Sequence, residues 1–259
     1  RLTPEKAAPV EFLFTARVLP VEFPQDLLMP FTPNSLFNYL AAPPKGGTGP
    51  WDERKGRLYA ADMHAHGIRG LCAYGQNAPG MLLTGLRLRE SGEPLLAAVA
   101  RDPARFRQGD LPALDLSYWD PMINLALEYD QYYYRTSLGN EKIYDANFIA
   151  LSRLIYGDNE VRPESAAHAR VRRWILREIP RYLREKGYQD VATTIGDEIP
   201  FDRFPAWVGK AEEAKACGFA PGVTTSLLTL ASPTHLKMLA GPSDYWVIGS
   251  LNDDLLNAA

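Results

Sequence analysis

What most constrains this chain is the alternation, from Ser165 to Ile248, of amphipathic helix and short apolar strand. Over Ser165–Lys186 the apolar residues Val171, Ile175, Ile179 and Leu183 recur every four positions among Arg and Glu, which predicts a helix with one buried face. Pro180 deletes one backbone hydrogen bond and should kink it, and Gly187 should end it. Val191–Gly196 then reads as a strand. Arg203–Cys217 reads as a helix with Phe204, Val208, Ala211 and Ala214 inward and Gly218 as its stop. A strand over Gly222–Leu228, a short helix over Pro233–Leu239 and a strand over Tyr245–Ile248 complete the series. Parallel strands with crossover helices require short, largely apolar strands, because both strand faces are covered. An open doubly wound sheet and a TIM-type (β/α)8 barrel both fit. No G-x-G-x-x-G or Walker motif supports the nucleotide-binding version of the first. Acidic, Thr, Ser and Asn residues at strand carboxyl ends favour the barrel, whose active sites lie there.

The earlier chain carries weaker patterns. Residues 10–18 (VEFLFTARV) read as a strand, and residues 24–52, rich in Pro, Gly and Asn, as a long irregular loop. Arg54–His66 reads as a helix closed by Gly67, followed by a strand over Ile68–Tyr74. Met81–Arg89 reads as a strand, Asp120–Tyr129 as a helix and the YYYR run at 132–135 as a packed loop, while the apolar run FIALSRLIY within Asn147–Tyr156 fits strand or helix, with strand favoured. The whole, residues 1–259, reads as one barrel domain. About seven strands can be counted, and a full barrel needs at least one further βα unit of the order of 30 residues. The barrel is therefore expected to be incomplete, or the chain to be cut short at its C-terminus and to belong to a longer protein with additional domains.

Composition removes several classes. Lys and Arg number 28 against 31 Asp and Glu, a net charge of −3, so no basic stripe points to nucleic acid. No apolar run approaches the roughly 18 residues that a membrane span needs. The two cysteines, Cys72 and Cys217, read as buried free thiols rather than a disulfide framework. No cofactor motif is visible.

Chemistry concentrates at VATTIGDEIP, where Asp197 and Glu198 stand at the carboxyl end of a strand. There the chain turns toward Pro200, so both carboxylates can reach one mouth. Two nearby carboxylates push their proton affinities apart, leaving one charged and the other a proton donor. Glycosidic cleavage needs that division of labour. The plainer reading makes Asp197 a helix cap and Glu198 a solvated loop residue. Sugar rings present apolar C–H faces that aromatic side chains cover, which makes Trp246, Tyr245, Trp119 and Tyr156 candidate platforms as well as core residues. Thr224 and Thr225, with Ser226, could hydrogen-bond sugar hydroxyls.

Three segments carry a resemblance. LREKGY (183–188), GDEIP (196–200) and SDYWV (243–247) are similar to a helix end "lrekGw", a strand closing on Asp-Glu-Pro and a later "vD-x-W" strand, and DMHAHGIRGL (62–71) matches a helix-to-strand step. Together they resemble the barrel of glycoside hydrolase family 123, the N-acetyl-β-galactosaminidase type, and its relatives. The likeness spans roughly 80 residues well and a longer stretch loosely. It implies cleavage of terminal β-linked N-acetylhexosamine by substrate-assisted retaining catalysis, with the sugar's 2-acetamido oxygen as nucleophile. By position Glu198 would protonate the leaving oxygen, and Asp197 would hold the acetamido N–H. The resemblance implies a glycan substrate, no cofactor, and a secreted or cell-surface location.

Two rival functions remain open. One is a non-catalytic glycan-binding or structural barrel of a larger assembly. The other is a metal-dependent amidohydrolase, suggested by Asp62-Met63-His64-Ala65-His66. That chemistry needs two histidines leaving one face of a strand. The local pattern here is helical, where residues two apart diverge, so no metal site is expected.

Overall fold

A computed structural model of the chain describes residues 53–73, 83–137, 141–157, 161–162, 165–195, 203–225, 234, 237 and 241–248. The expected strand at 10–18 and loop at 24–52 lie outside these residues, as does all but Thr234 and Lys237 of the helix expected over Pro233–Leu239.

The described elements run α1 (Glu53–Ala65), β1 (Gly70–Ala73), β2 (Arg87–Leu88), α2 (Leu95–Arg101), α3 (Pro103–Arg107), β3 (Leu114–Asp115), α4 (Asp120–Glu128), β4 (Tyr133–Ser137), α5 (Glu141–Tyr156), α6 (Ala166–Glu185), β5 (Asp190–Thr194), α7 (Phe204–Ala216), β6 (Ala220–Thr225) and β7 (Tyr245–Ile248). Five of the strands form one parallel sheet in the order β1-β4-β5-β6-β7, with β5 at its centre. Along this sheet the order never reverses. Right-handed crossovers that always advance in one direction place their helices on one face.

The register sorts the strand residues by face. Leu71, Tyr134 and Val191 share one row and belong to the hydrophobic core with the helices. The Tyr134 ring meets that of Tyr188 edge to face, 5.7 Å between centroids. Side chains alternate along a strand, so Arg135, Ala192 and Thr194 lie on the opposite face. Ala192 and Thr194 are nevertheless buried. Both faces of β5 are covered, as parallel strands require.

Helix α6 forms as its spacing predicts. Ser165 caps it, its hydroxyl accepting the His168 N–H at 3.3 Å, and Val171, Ile175, Ile179 and Leu183 are buried. The helix continues through Pro180. Each such side chain contributes roughly 1.5–3 kcal/mol when fully buried. Helix α1 closes on Gly67 at φ 74°, and Cys217 is a buried free thiol whose pKa is pushed up by burial and by Glu213.

Three sequence expectations are corrected. Residues 148–156 are helical, within α5, rather than a strand. Phe148, Leu151, Ser152 and Ile155 are buried while Arg153 and Leu154 are exposed, a helical rather than an alternating pattern. The YYYR run is not a loop: Tyr133 to Arg135 open β4. Met81–Arg89 is not one strand. It holds a 3-10 turn (Leu83–Gly85) and the two-residue β2, which pairs antiparallel with β3. At Gly85 the Tyr118 ring approaches so closely that a Cβ would sit 2.8 Å from Cγ.

Candidate active site

Because the sheet is parallel, its strands all end along one edge, and β5 ends in the middle of it. The end of β5 is held from two sides. Ile195 donates its N–H to the Gly222 carbonyl at 2.9 Å, and its own carbonyl accepts the indole N–H of the buried Trp207 of α7. Asp197 and Glu198 follow two and three residues later in the chain. They lie outside the described residues.

The register places several expected binding residues at this edge. Thr194 pairs with Gly222 and Gly222 with Tyr245, so β7 begins level with the last residue of β5. Trp246 is level with Val223, Thr224 with Val247, and Thr225 with Ile248. Thus Tyr245, Trp246, Thr224 and Thr225 occupy backbone positions at or beyond the carboxyl end of β5. Trp119 and Tyr156 do not join them. Trp119 is buried in the core beside the helices. Its neighbour Asp120 binds Lys186 and Tyr182 at the end of α6 that leads into β5, at the opposite edge of the sheet. Tyr156 is the last residue of α5 and packs, partly buried, against the same core.

Sequence reasoning missed Arg135. It stands level with Ala192, on the face away from the helices, and its Nε donates to Thr194 Oγ1 at 3.0 Å. Thr194 lies two residues nearer the carboxyl end than Ala192, so the side chain leans toward the edge where the acid pair follows. RTS (135–137), ATT (192–194) and VTT (223–225) all end a strand on two hydroxyl residues, but that pattern does not by itself set β4 beside β5.

At the amino edge lies a cleft of about 460 Å³, lined among others by Arg89, Asp115, Arg181, Tyr182, Glu185 and Lys186. Its charges serve one another. Arg181 binds Glu178 and Glu185 at 2.6 Å each, Arg89 binds Glu185 at 3.0 Å, and Lys186 binds Asp120 at 2.7 Å. Asp115 accepts the N–H and hydroxyl of Ser117. Burial, then the hydrogen bond to Asp120, pushes the Tyr182 phenol up. This is a network that fastens the antiparallel β2–β3 pair to α6, and its location is that of stability rather than chemistry in a parallel α/β sheet.

His64 and His66 stand at the end of α1. His66 Nδ1 meets the Asp62 carbonyl at 2.8 Å, while His64 Nδ1 meets the Arg69 guanidinium at 2.8 Å. No group of three or more metal-ligating side chains occurs among the described residues. Nor does any described helix have the length and apolarity to cross a membrane. Comparison of the chain with protein-family models, curated proteins and solved structures finds no match in any of the three.

Proposed function

We propose that this chain is a glycoside hydrolase that cleaves terminal β-linked N-acetylhexosamine residues by substrate-assisted retaining catalysis, on a (β/α)8-type barrel. One observation carries the reading. The Asp197-Glu198 pair follows directly from the central strand of a parallel sheet whose order advances in one direction. A barrel wall advances in that way, whereas a doubly wound sheet reverses at a switch point. Ligand chemistry on either architecture belongs to the carboxyl edge. In this reading Glu198 donates a proton to the leaving oxygen. Asp197 stays charged, holds the acetamido N–H and stabilises the oxazolinium-like intermediate. The position of Thr224, Thr225, Tyr245 and Trp246 at the carboxyl edge supports their part in the sugar subsite.

The test is hydrolysis of an aryl N-acetyl-β-galactosaminide. Removing a general acid costs about 10²–10⁴-fold, so Glu198→Gln should lower turnover by at least about 100-fold. Turnover equal to wild type in that variant refutes the assignment. A wild-type protein that binds the sugar without cleaving it would instead establish the non-catalytic glycan-binding barrel.

A further inference from the structure

We infer that His64 is a proton-operated latch at the amino edge of the sheet. Neutral, its ring is held by Arg69; protonated, it fastens the end of α1 to the turn between α4 and β4. The inference does not depend on the glycosidase reading, since none of its groups lies at the carboxyl edge. Three groups meet one ring nitrogen. His64 Nδ1 lies 2.8 Å from an Nη of Arg69, 3.1 Å from the Tyr129 carbonyl oxygen and 3.6 Å from Oδ2 of Asp130. A guanidinium only donates, so its contact needs a lone pair on Nδ1. A carbonyl and a carboxylate only accept, so theirs need a proton there. The nitrogen cannot serve both sets at once, and one proton decides between them. Histidine is the side chain whose ordinary titration falls between pH 5 and 8.

Two helix ends converge on this ring. His64 stands in the last turn of α1, and Tyr129 follows the last residue of α4. Helix C-termini favour a cation. Arg69 serves the α1 end, donating also to the His64 carbonyl at 3.3 Å. A protonated His64 serves the α4 end. The turn it grips is not at ease. Asp130, at φ 57°, is the one non-glycine residue with positive φ among the described residues. Gln131 is fully buried, and neither atom of its side-chain amide has a partner among the described residues. The Tyr132 hydroxyl donates to Oδ1 of Asp130 at 2.8 Å, which leaves Oδ2 facing His64. The other charged groups nearby on these elements are engaged elsewhere. Glu128 binds Arg57 at 2.8 Å, and His66 meets the carbonyl and carboxylate of Asp62. The hydrogen bond to Asp130 pushes the Tyr132 phenol up, against the opposing charge of Arg69, so it keeps its proton through this range.

The experiment is a nitrogen NMR titration of the full chain, following the His64 ring and the backbone amides of Asp130 and Gln131. The neutral ring is expected as the Nε2–H tautomer, with Nδ1 accepting from Arg69. Both amides should shift with the midpoint of His64 and stay still across it in His64→Gln. Both partners are half-exposed, so each is expected to move the midpoint by about half a unit. Arg69→Met removes a donor to the neutral ring and a like charge, so it should raise the midpoint. Asp130→Asn removes an opposite charge and should lower it. His66 should be indifferent to both changes. A neutral wild-type ring in the Nδ1–H form overturns the inference, as do turn amides that ignore the midpoint, and neither result needs a variant to fold. In folded variants, midpoints that stay put or move in the same direction overturn it too.

Discussion

Replacing Arg181 with Met should loosen the paired strands β2 and β3 from α6, and the structure allows the cost to be worked out. Strand β3 presents Leu114 to α6, where Glu178 accepts its N–H at 2.7 Å and Arg181 donates to its carbonyl at 2.7 Å. Two side chains thus do what a neighbouring strand would do. Glu178 is 13% exposed, Arg181 28% and Glu185 42%. Hydrogen bonds to charged groups contribute roughly 1.5–3 kcal/mol each, and breaking a buried pair costs roughly 3–5 kcal/mol. Discounting for the exposure of Arg181 and for rehydration of Glu185, Arg181→Met should cost about 2–3 kcal/mol. Glu185→Gln should cost no more than about 1 kcal/mol. Urea unfolding followed by tryptophan fluorescence gives both numbers, with the m-value unchanged. A cycle with Glu178→Gln should show a coupling above about 1 kcal/mol. The acid side adds a check. Burial lifts the Glu185 pKa, but the donors Arg89 and Arg181 outweigh it and hold the group below its ordinary value. Its contribution is therefore complete above the ordinary glutamate range and is lost as pH falls through the depressed value, so Glu185→Gln should flatten the loss of stability in acid. If Arg181→Met destabilises no more than Glu185→Gln, the clamp on Leu114 is not holding β3 to α6.

At Gly85 a Cβ would lie 2.8 Å from the Tyr118 ring. Gly85→Ala should cost about 1–3 kcal/mol in a thermal melt, partly regained with Tyr118→Leu. An unchanged melting temperature would show that the turn yields freely. The raised Tyr182 phenol predicts alkaline behaviour: its contribution is present below the ordinary tyrosine value of about 10 and is lost as pH rises beyond it. Tyr182→Phe should therefore be less stable at neutral pH by about 1.5–3 kcal/mol and lose less stability on going alkaline. Parallel curves for the two proteins would contradict this.

What the sequence disclosed followed the physics of each segment. Helix α6 was legible because twenty residues give the helical period room to repeat. Strand β7 was legible because YWVI is short, apolar and β-branched in part. FIALSRLIY was misjudged because a nine-residue apolar run carries too few polar marks to separate the two periods. YYYR was misjudged for the converse reason. Its charged residue faces a covered side of the sheet, where a sequence reader expects apolar side chains. Strands β2 and β3, two residues each, leave no pattern at all. At the carboxyl edge of the sheet, the hydroxyl residues that close β5 and β6 could be read from the sequence. Arg135 could not, because its place depends on β4 lying beside β5, a pairing between residues 57 apart.

The offset between strands has one more consequence. Ser137 and Thr194 end their strands level with each other, whereas β6 and β7 run on for three residues beyond that row. At about 3.3 Å per residue, the described strand backbone on the β6–β7 flank rises roughly 10 Å beyond the last residue of β5. In the proposed glycosidase, a bound sugar would rest against that β6–β7 flank.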